Sequence, residues 1–166
     1  MAVVMERLND RKELVKYAFG KCLDLGTSDA YPFNGKLPDN FIGIDIKPKT
    51  ERVIKHDLKQ GIPFKDKSFD CVTVFELFEH IPPEKREFLI SEIKRVCRHR
   101  VVISVPSKDP INWNSDLDQP YPHQFHLDWL FDEQSAIELA KKFGGNFKMF
   151  LIINPCYKGY GMVIDL

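Results

Sequence analysis

The chain has 166 residues, 43% hydrophobic and 12% aromatic, and its 24 basic residues balance 24 acidic ones. That length supports one globular domain with a sizeable core, and it excludes a second active-site domain. Zero net charge excludes a global field that would draw the molecule to nucleic acid or anionic lipid, so any such partner must meet a local patch.

Four cysteines, Cys22, Cys71, Cys97 and Cys156, are widely spaced and form no C-x-x-C pair. This argues against both a zinc site and a disulfide framework. The first nineteen residues, "MAVVMERLNDRKELVKYAF", are charged throughout and are expected to form an N-terminal helix ahead of a core spanning 20–166. No apolar run approaches membrane-spanning length, so a cytoplasmic protein without a membrane partner is expected.

Along the core, "KCLDLG" (21–26), "FIGIDI" (41–46), "RVIKHDL" (52–58), "FDCVTVF" (69–75) and "RVVISVP" (100–106) are nearly continuous apolar runs rich in β-branched residues. Parallel strands covered on both faces have this composition. Between the last two runs, "PPEKREFLISEIKRVC" reads as a helix. Pro83 suits its first turn, Glu84 and Glu87 complement the N-terminal dipole, and Leu89, Ile93 and Val96 fall on one stripe. A second helix runs through "DEQSAIELAKKF" to Gly144 and Gly145, and "NFKMFLIIN" and "YGMVIDL" then read as an antiparallel pair. The pattern predicts an α/β fold: a doubly wound, mostly parallel, seven-stranded sheet with a C-terminal hairpin and helices on both faces.

In such a sheet the ligand lies beyond the carboxyl ends of the strands. Acids cluster there: Asp24 before Gly26, then Asp45, Asp57, and Glu76 with Glu79 and His80. The turn "LDLGTSDA" has one glycine where a pyrophosphate-binding turn has three. Ser28 and Ala30 hold the other two places, and Asp29 puts an anion where a phosphate would rest. A nucleoside without phosphate, carrying positive charge, suits this turn better. Asp45 follows Gly26 by 19 residues, the separation at which an acid reaches ribose hydroxyls. S-adenosylmethionine has that makeup, and Ser28, Asp29 and Ala30 disfavour a nicotinamide-dependent oxidoreductase.

"KCLDLGTSDA", "FIGIDIKP", "VIKHDLKQGIPFKDKSFDCVTVFELFEHI" and "RVVISVP" resemble, in that order, the successive motifs of S-adenosylmethionine-dependent methyltransferases with a Rossmann-like fold, the methyltransferase type 11 group in particular. The resemblance implies that Asp24 and Gly26 stand against the methionine portion of the cofactor and that Phe75 lines the same side. It implies that Asp45 binds the ribose and that Asp57 with the Leu58 backbone binds adenine. Residues 27–40, with Pro32, Gly35 and Pro38, leave the first crossover helix only a turn or two.

If the chain turns helical after Phe75, Glu76, Glu79 and His80 share one face. The arrangement is similar to metal-binding motifs of ubiquinone-pathway and small-RNA O-methyltransferases. A magnesium or manganese ion there would help an acceptor hydroxyl lose its proton. Without metal, His80, His123 or His126 is the candidate proton acceptor. The loop 107–128 and the N-terminal segment alone can cover the site, which suits a macromolecular acceptor or a completing partner subunit, a second copy included. A small acceptor under the aromatic loop is the other possibility. The expected function is therefore methyl transfer to an unidentified acceptor, with an oxygen nucleophile as the candidate. A catalytically inactive nucleoside-binding partner or regulatory module is the alternative.

Overall fold

A computed structural model describes residues 3–113 and 130–166. His123, His126 and most of the aromatic loop lie outside the described residues. The strands are β1 (Met5–Leu8), β2 (Cys22–Leu25), β3 (Phe41–Asp45), β4 (Val53–Lys55), β5 (Phe69–Phe75), β6 (Cys97–Pro106), β7 (Asn146–Asn154) and β8 (Tyr157–Asp165). They form one sheet in the order β1-β7-β8-β6-β5-β2-β3-β4. All neighbouring pairs are parallel except β6 with β8 and β7 with β8. The turn between Asn154 and Tyr157 is too short for a crossover, so β8 must return beside β7, and it fills the gap between β7 and β6.

The expected doubly wound, mostly parallel sheet with its C-terminal hairpin is present, with eight strands rather than seven. The extra strand comes from the segment expected to be an N-terminal helix. Met5–Leu8 pairs in parallel register with Met149–Ile152, satisfying the outer backbone edge of β7. Only then does a helix start, a 3-10 segment over Arg11–Tyr17, where Asp10 and Glu13 form a capping box.

Alternation along the strands sorts the core into two layers. Leu23, Val72, Val74, Val101 and Ile103 face α1 (Pro83–Val96) and α2 (Glu133–Lys142), meeting Leu89, Ile93, Ala136 and Ala140. Cys22, Cys71, Phe75 and Val102 face the other way and meet Leu14, Phe33 and Leu37. Both α-helices therefore cover one face, and the opposite face is covered by 3-10 helices over Arg11–Tyr17 and Tyr31–Phe33. The crossover from β2 to β3 is as short as expected, because Pro32 fixes its first turn and left-handed Asn34 ends it. On this thinly covered face the same alternation puts three buried polar residues in line: Asp24, Thr73 and Ser104.

Candidate active site

The turn after β2 sits at the carboxyl edge. Gly26 has φ +74°, and the N–H groups of Gly26 and Thr27 both donate to the Ile44 carbonyl, at 2.9 and 3.2 Å. A Cβ on Gly26 would stand 3.0 Å from Leu77 Cδ1, in the strand-to-turn exit of β5. The left-handed conformation and the tight approach to Leu77 both favour glycine there. Ser28 (φ +47°) and Ala30 (φ +55°) also hold the left-handed conformation. The two places where a pyrophosphate-binding turn has glycine thus adopt a glycine-like backbone with other residues, at about 1–2 kcal/mol each. Contacts with β3 hold the turn in that shape: Ser28 N–H donates to Asp45 Oδ2 at 2.9 Å, and Lys49 N–H donates to the Ser28 carbonyl at 3.2 Å.

Asp45 ends β3, half-buried. Its Oδ1 accepts the Lys47 N–H at 2.6 Å and its Oδ2 accepts Ser28. Each oxygen retains a second lone pair, so two further donors such as vicinal hydroxyls can be accepted. Asp24 lies inside β2 and is buried, with Thr73 Oγ1 donating to its Oδ1 at 2.5 Å. Burial pushes its carboxyl up to about 7 against the hydrogen bonds from Thr73 and Thr27. The structure thus sets Asp24 as a bolt between β2 and β5, beneath the turn.

Asp57 follows β4 and caps the 3-10 helix Leu58–Gln60, accepting the Lys59 N–H at 2.9 Å. Leu58 packs on the helix-side core, and the Gly61 N–H closes onto its carbonyl at 3.1 Å. Phe75 ends β5, buried edge-on against Phe33 with centroids 6.0 Å apart. Gly26, Asp45 and Glu76 thus occupy the exits of β2, β3 and β5, which lie side by side in the order β5-β2-β3.

Past Phe75 the backbone bends sharply, with Glu76 at φ +52°. A non-glycine residue there is strained, and strain of this kind collects at functional sites. The bend is held by Glu76 N–H donating to the Ser104 carbonyl at 3.0 Å, and by Ser104 Oγ (2.9 Å) and the Tyr157 hydroxyl (2.6 Å) donating to Glu76 Oε1. Burial, with the Glu76 carboxylate beside it, pushes the Tyr157 phenol well above its ordinary value. Glu79 is 1% exposed and its Oε2 has no hydrogen-bond partner among the described residues. Burial first, then Glu76, holds its carboxyl well above the usual range. His80 Nε2 stands 3.8 Å from Glu79 Oε1.

The expected metal set does not fit. Among the described residues no three His, Cys, Asp or Glu side chains converge to hold an ion. The reason is local: the left-handed bend at Glu76 precludes a continuous α-helical face, and only a single 3-10 turn, Phe78–His80, follows it. Glu76 turns instead to Ser104 and Tyr157.

A cation from the chain itself lies beside the acids. The Arg11 guanidinium sits 4.4 Å from the Tyr31 ring centroid and 5.6 Å from that of Tyr157. Its Nε is buried with no hydrogen-bond partner among the described residues. Burial works against its charge, but Glu76, the two phenols and Asp10 outweigh burial and raise its pKa. Arg11, Tyr31 and Tyr157 carried no motif in the sequence, and Ser104 stood unremarked inside "RVVISVP". They come from four separate segments, two 3-10 helices and two strands, and only the tertiary fold brings them together.

The chain matches the family model described as methyltransferase domain over residues 23–105, half of its length. A comparison with curated proteins finds no sequence match. Among solved structures, the methyltransferase domain of bacterial CtHen1 is similar at TM-score 0.63 and 17% identity, over 94% of this chain and 98% of that one. An S-adenosylmethionine-dependent methyltransferase from Aquifex aeolicus gives 0.65 and 15%, over 96% and 91%. Magnesium protoporphyrin IX methyltransferase from Synechocystis PCC 6803 with bound S-adenosylhomocysteine gives 0.62 and 15%, over 93% and 78%. With half its sequence matched by the family model and its fold shared over 94–96% of its length, the chain belongs to the S-adenosylmethionine-dependent methyltransferases of the class I Rossmann-like fold.

Proposed function

We propose that the chain is an active S-adenosylmethionine-dependent methyltransferase whose cofactor lies across the carboxyl ends of β2, β3 and β5. The observation that carries this reading is the turn at Gly26–Ala30, which keeps left-handed backbone at Ser28 and Ala30 and hydrogen-bonds to Asp45. Left-handed strain held by two non-glycine residues in one turn marks a shape that is used. The residues present fit the cofactor. The free lone pairs of Asp45 would accept the ribose hydroxyls, Asp57 and the Leu58 backbone would border adenine, and Gly26 would let the methionine portion pass close to the chain. Asp24 fixes the turn from below, and Phe75 with Phe33 walls the adjoining face.

When bound, the cofactor supplies a methyl group already activated by its sulfonium. The protein's contribution is therefore alignment of the acceptor opposite the sulfur. For an oxygen acceptor, His80 beside Glu79 is the described proton acceptor; His123 and His126 stay in the proposal as residues of the loop that follows. No metal enters this reading.

Calorimetry tests it directly. The protein should bind S-adenosylhomocysteine and not NAD, and transfer of labelled methyl groups from S-adenosylmethionine to components of a cell extract should accompany binding. Binding without transfer to any acceptor would favour the inactive module instead.

A further inference from the structure

An arginine that serves only as a structural counter-ion satisfies its guanidinium with hydrogen bonds. Arg95 does so elsewhere in this chain, donating to Glu92, Asp66 and the carbonyls of Ile62 and Phe64. Arg11 is different. Two aromatic rings hold it, and among the described residues neither its buried Nε nor the buried Oε2 of nearby Glu79 has a hydrogen-bond partner. Tyr31 and Tyr157 offer their faces to a cation, the Lys12 ammonium also lies 4.4 Å from the Tyr31 centroid, and Glu76 supplies charge from a bend that costs energy to hold. Tyr31 is 40% exposed, so the enclosure opens to solvent on that side. Arg11 arrives from the N-terminal 3-10 helix rather than from the sheet, so its side chain can swing out while Ser104 and Tyr157 keep Glu76 in place, and Tyr31 stays tied to that helix through its hydroxyl's bond to Asp10 Oδ2 at 3.1 Å.

We infer that Tyr31, Tyr157 and Glu76 form a guanidinium-binding subsite, occupied in this structure by the chain's own Arg11, and that the methyl acceptor carries a guanidinium group which displaces Arg11 to dock beside β5. The inference rests on the methyltransferase reading above and adds the acceptor's chemical class to it. A guanidinium is selected over a compact ammonium because its flat face stacks on both rings while its edge donates to a carboxylate. Glu79 Oε2 then gains the donor it lacks. The tethered Arg11 competes with any incoming group at the high effective concentration of an intramolecular partner, so it acts as a built-in occupant that only a well-placed acceptor replaces.

The experiment titrates acetyl-arginine methylamide, and its uncharged isostere acetyl-citrulline methylamide, into protein saturated with S-adenosylhomocysteine, using wild type, Arg11→Ala and Glu76→Gln. Removing the internal occupant should tighten binding of the arginine probe roughly tenfold, the citrulline probe should bind at least tenfold more weakly, and Glu76→Gln should lose the discrimination. Nuclear magnetic resonance of the Arg11 side-chain Hε in wild type gives a second readout that needs no variant: the arginine probe should shift it and the citrulline probe should not. Equal binding of the two probes by wild type and Arg11→Ala, or an unmoved Arg11 resonance at saturating arginine probe, overturns the inference. If S-adenosylhomocysteine itself fails to bind, the methyltransferase reading has failed instead, and the two failures are told apart at the first titration.

Discussion

Two arginine–glutamate clusters lie on opposite sides of the sheet and are put together in opposite ways. Under the loop before β5, Arg95 chelates Glu92 through Nε and Nη2, both at 2.8 Å, and closes the loop onto helix α1 through two backbone carbonyls. The Arg95 hydrogen bonds hold the Glu92 carboxyl down to about 2. At the carboxyl edge, Arg11 and Glu79 each leave a buried atom unpaired, and burial pushes acids up rather than down. The first cluster spends its charges on stability. The second leaves hydrogen-bonding capacity unused at Arg11 Nε and Glu79 Oε2, as a ligand site must, because a group already saturated by protein has nothing left to offer.

The largest expected effect breaks the saturated cluster. Arg95→Ala should cost about 3 kcal/mol of stability in denaturant unfolding, since it strands a half-buried carboxylate and two carbonyls, and S-adenosylhomocysteine affinity should not change. Arg11→Ala, by contrast, should stay within about 1 kcal/mol of wild type, because little hydrogen bonding is lost. Equal losses would erase the distinction.

Next, Asp45→Ala should weaken S-adenosylhomocysteine binding by about 2 kcal/mol, roughly thirtyfold, by removing charge-assisted hydrogen bonds. Asp66→Ala, on the saturated side, should leave calorimetric affinity unaltered and lose a fraction of a kcal/mol through its exposed pair with Arg95.

The saturated cluster and the buried acid beneath the turn should also differ in pH response. Glu92 has a depressed folded pKa, so its contribution is present above its unfolded value and is lost as pH falls towards 2. Asp24 has a raised folded pKa, so the native state binds its proton more tightly than the unfolded chain, and stability falls as pH rises from about 4 to about 7. Asp24→Asn should remove that slope. The stability of wild type relative to the variant should drop by about 1–2 kcal/mol between pH 5 and 7 in parallel melts, and a pH-independent difference would reject the burial effect.

The smallest effect concerns the turn. Ser28→Gly should relieve left-handed strain and stabilise the protein by about 0.5–1 kcal/mol, with cofactor affinity retained. A loss of affinity would mean that the serine itself touches the ligand.

Much of this was legible in sequence for identifiable reasons. Strands β2, β3, β5 and β6 are covered on both faces and so are continuously apolar, and acids such as Asp45 stand out at their ends. Gly26 and the 19-residue interval to Asp45 are local facts that survive without a fold. The Glu76–Glu79–His80 set misled because its helical spacing presumes a helix, whereas the Ser104 and Tyr157 hydrogen bonds draw Glu76 into the left-handed region. The N-terminal segment misled because its charges suit an amphipathic helix, while the open edge of β7 gives Met5–Leu8 a ladder of backbone hydrogen bonds.

The sequence by itself determined the order of strands and helices from β2 onward, the turn after β2 and the family to which the chain belongs, because apolar periodicity, Gly26 and the serial motifs act over a few residues each. Only the tertiary structure decided that Met5–Leu8 is a strand and where buried polar atoms are left unpaired. Arg11, Tyr31, Glu76 and Tyr157 lie up to 146 positions apart in the 166-residue chain, and they meet because β8 inserts between β6 and β7 and carries Tyr157 to the carboxyl edge. Satisfaction of a buried polar atom depends on which strand ends become neighbours, and that is fixed by sheet order rather than by any local pattern.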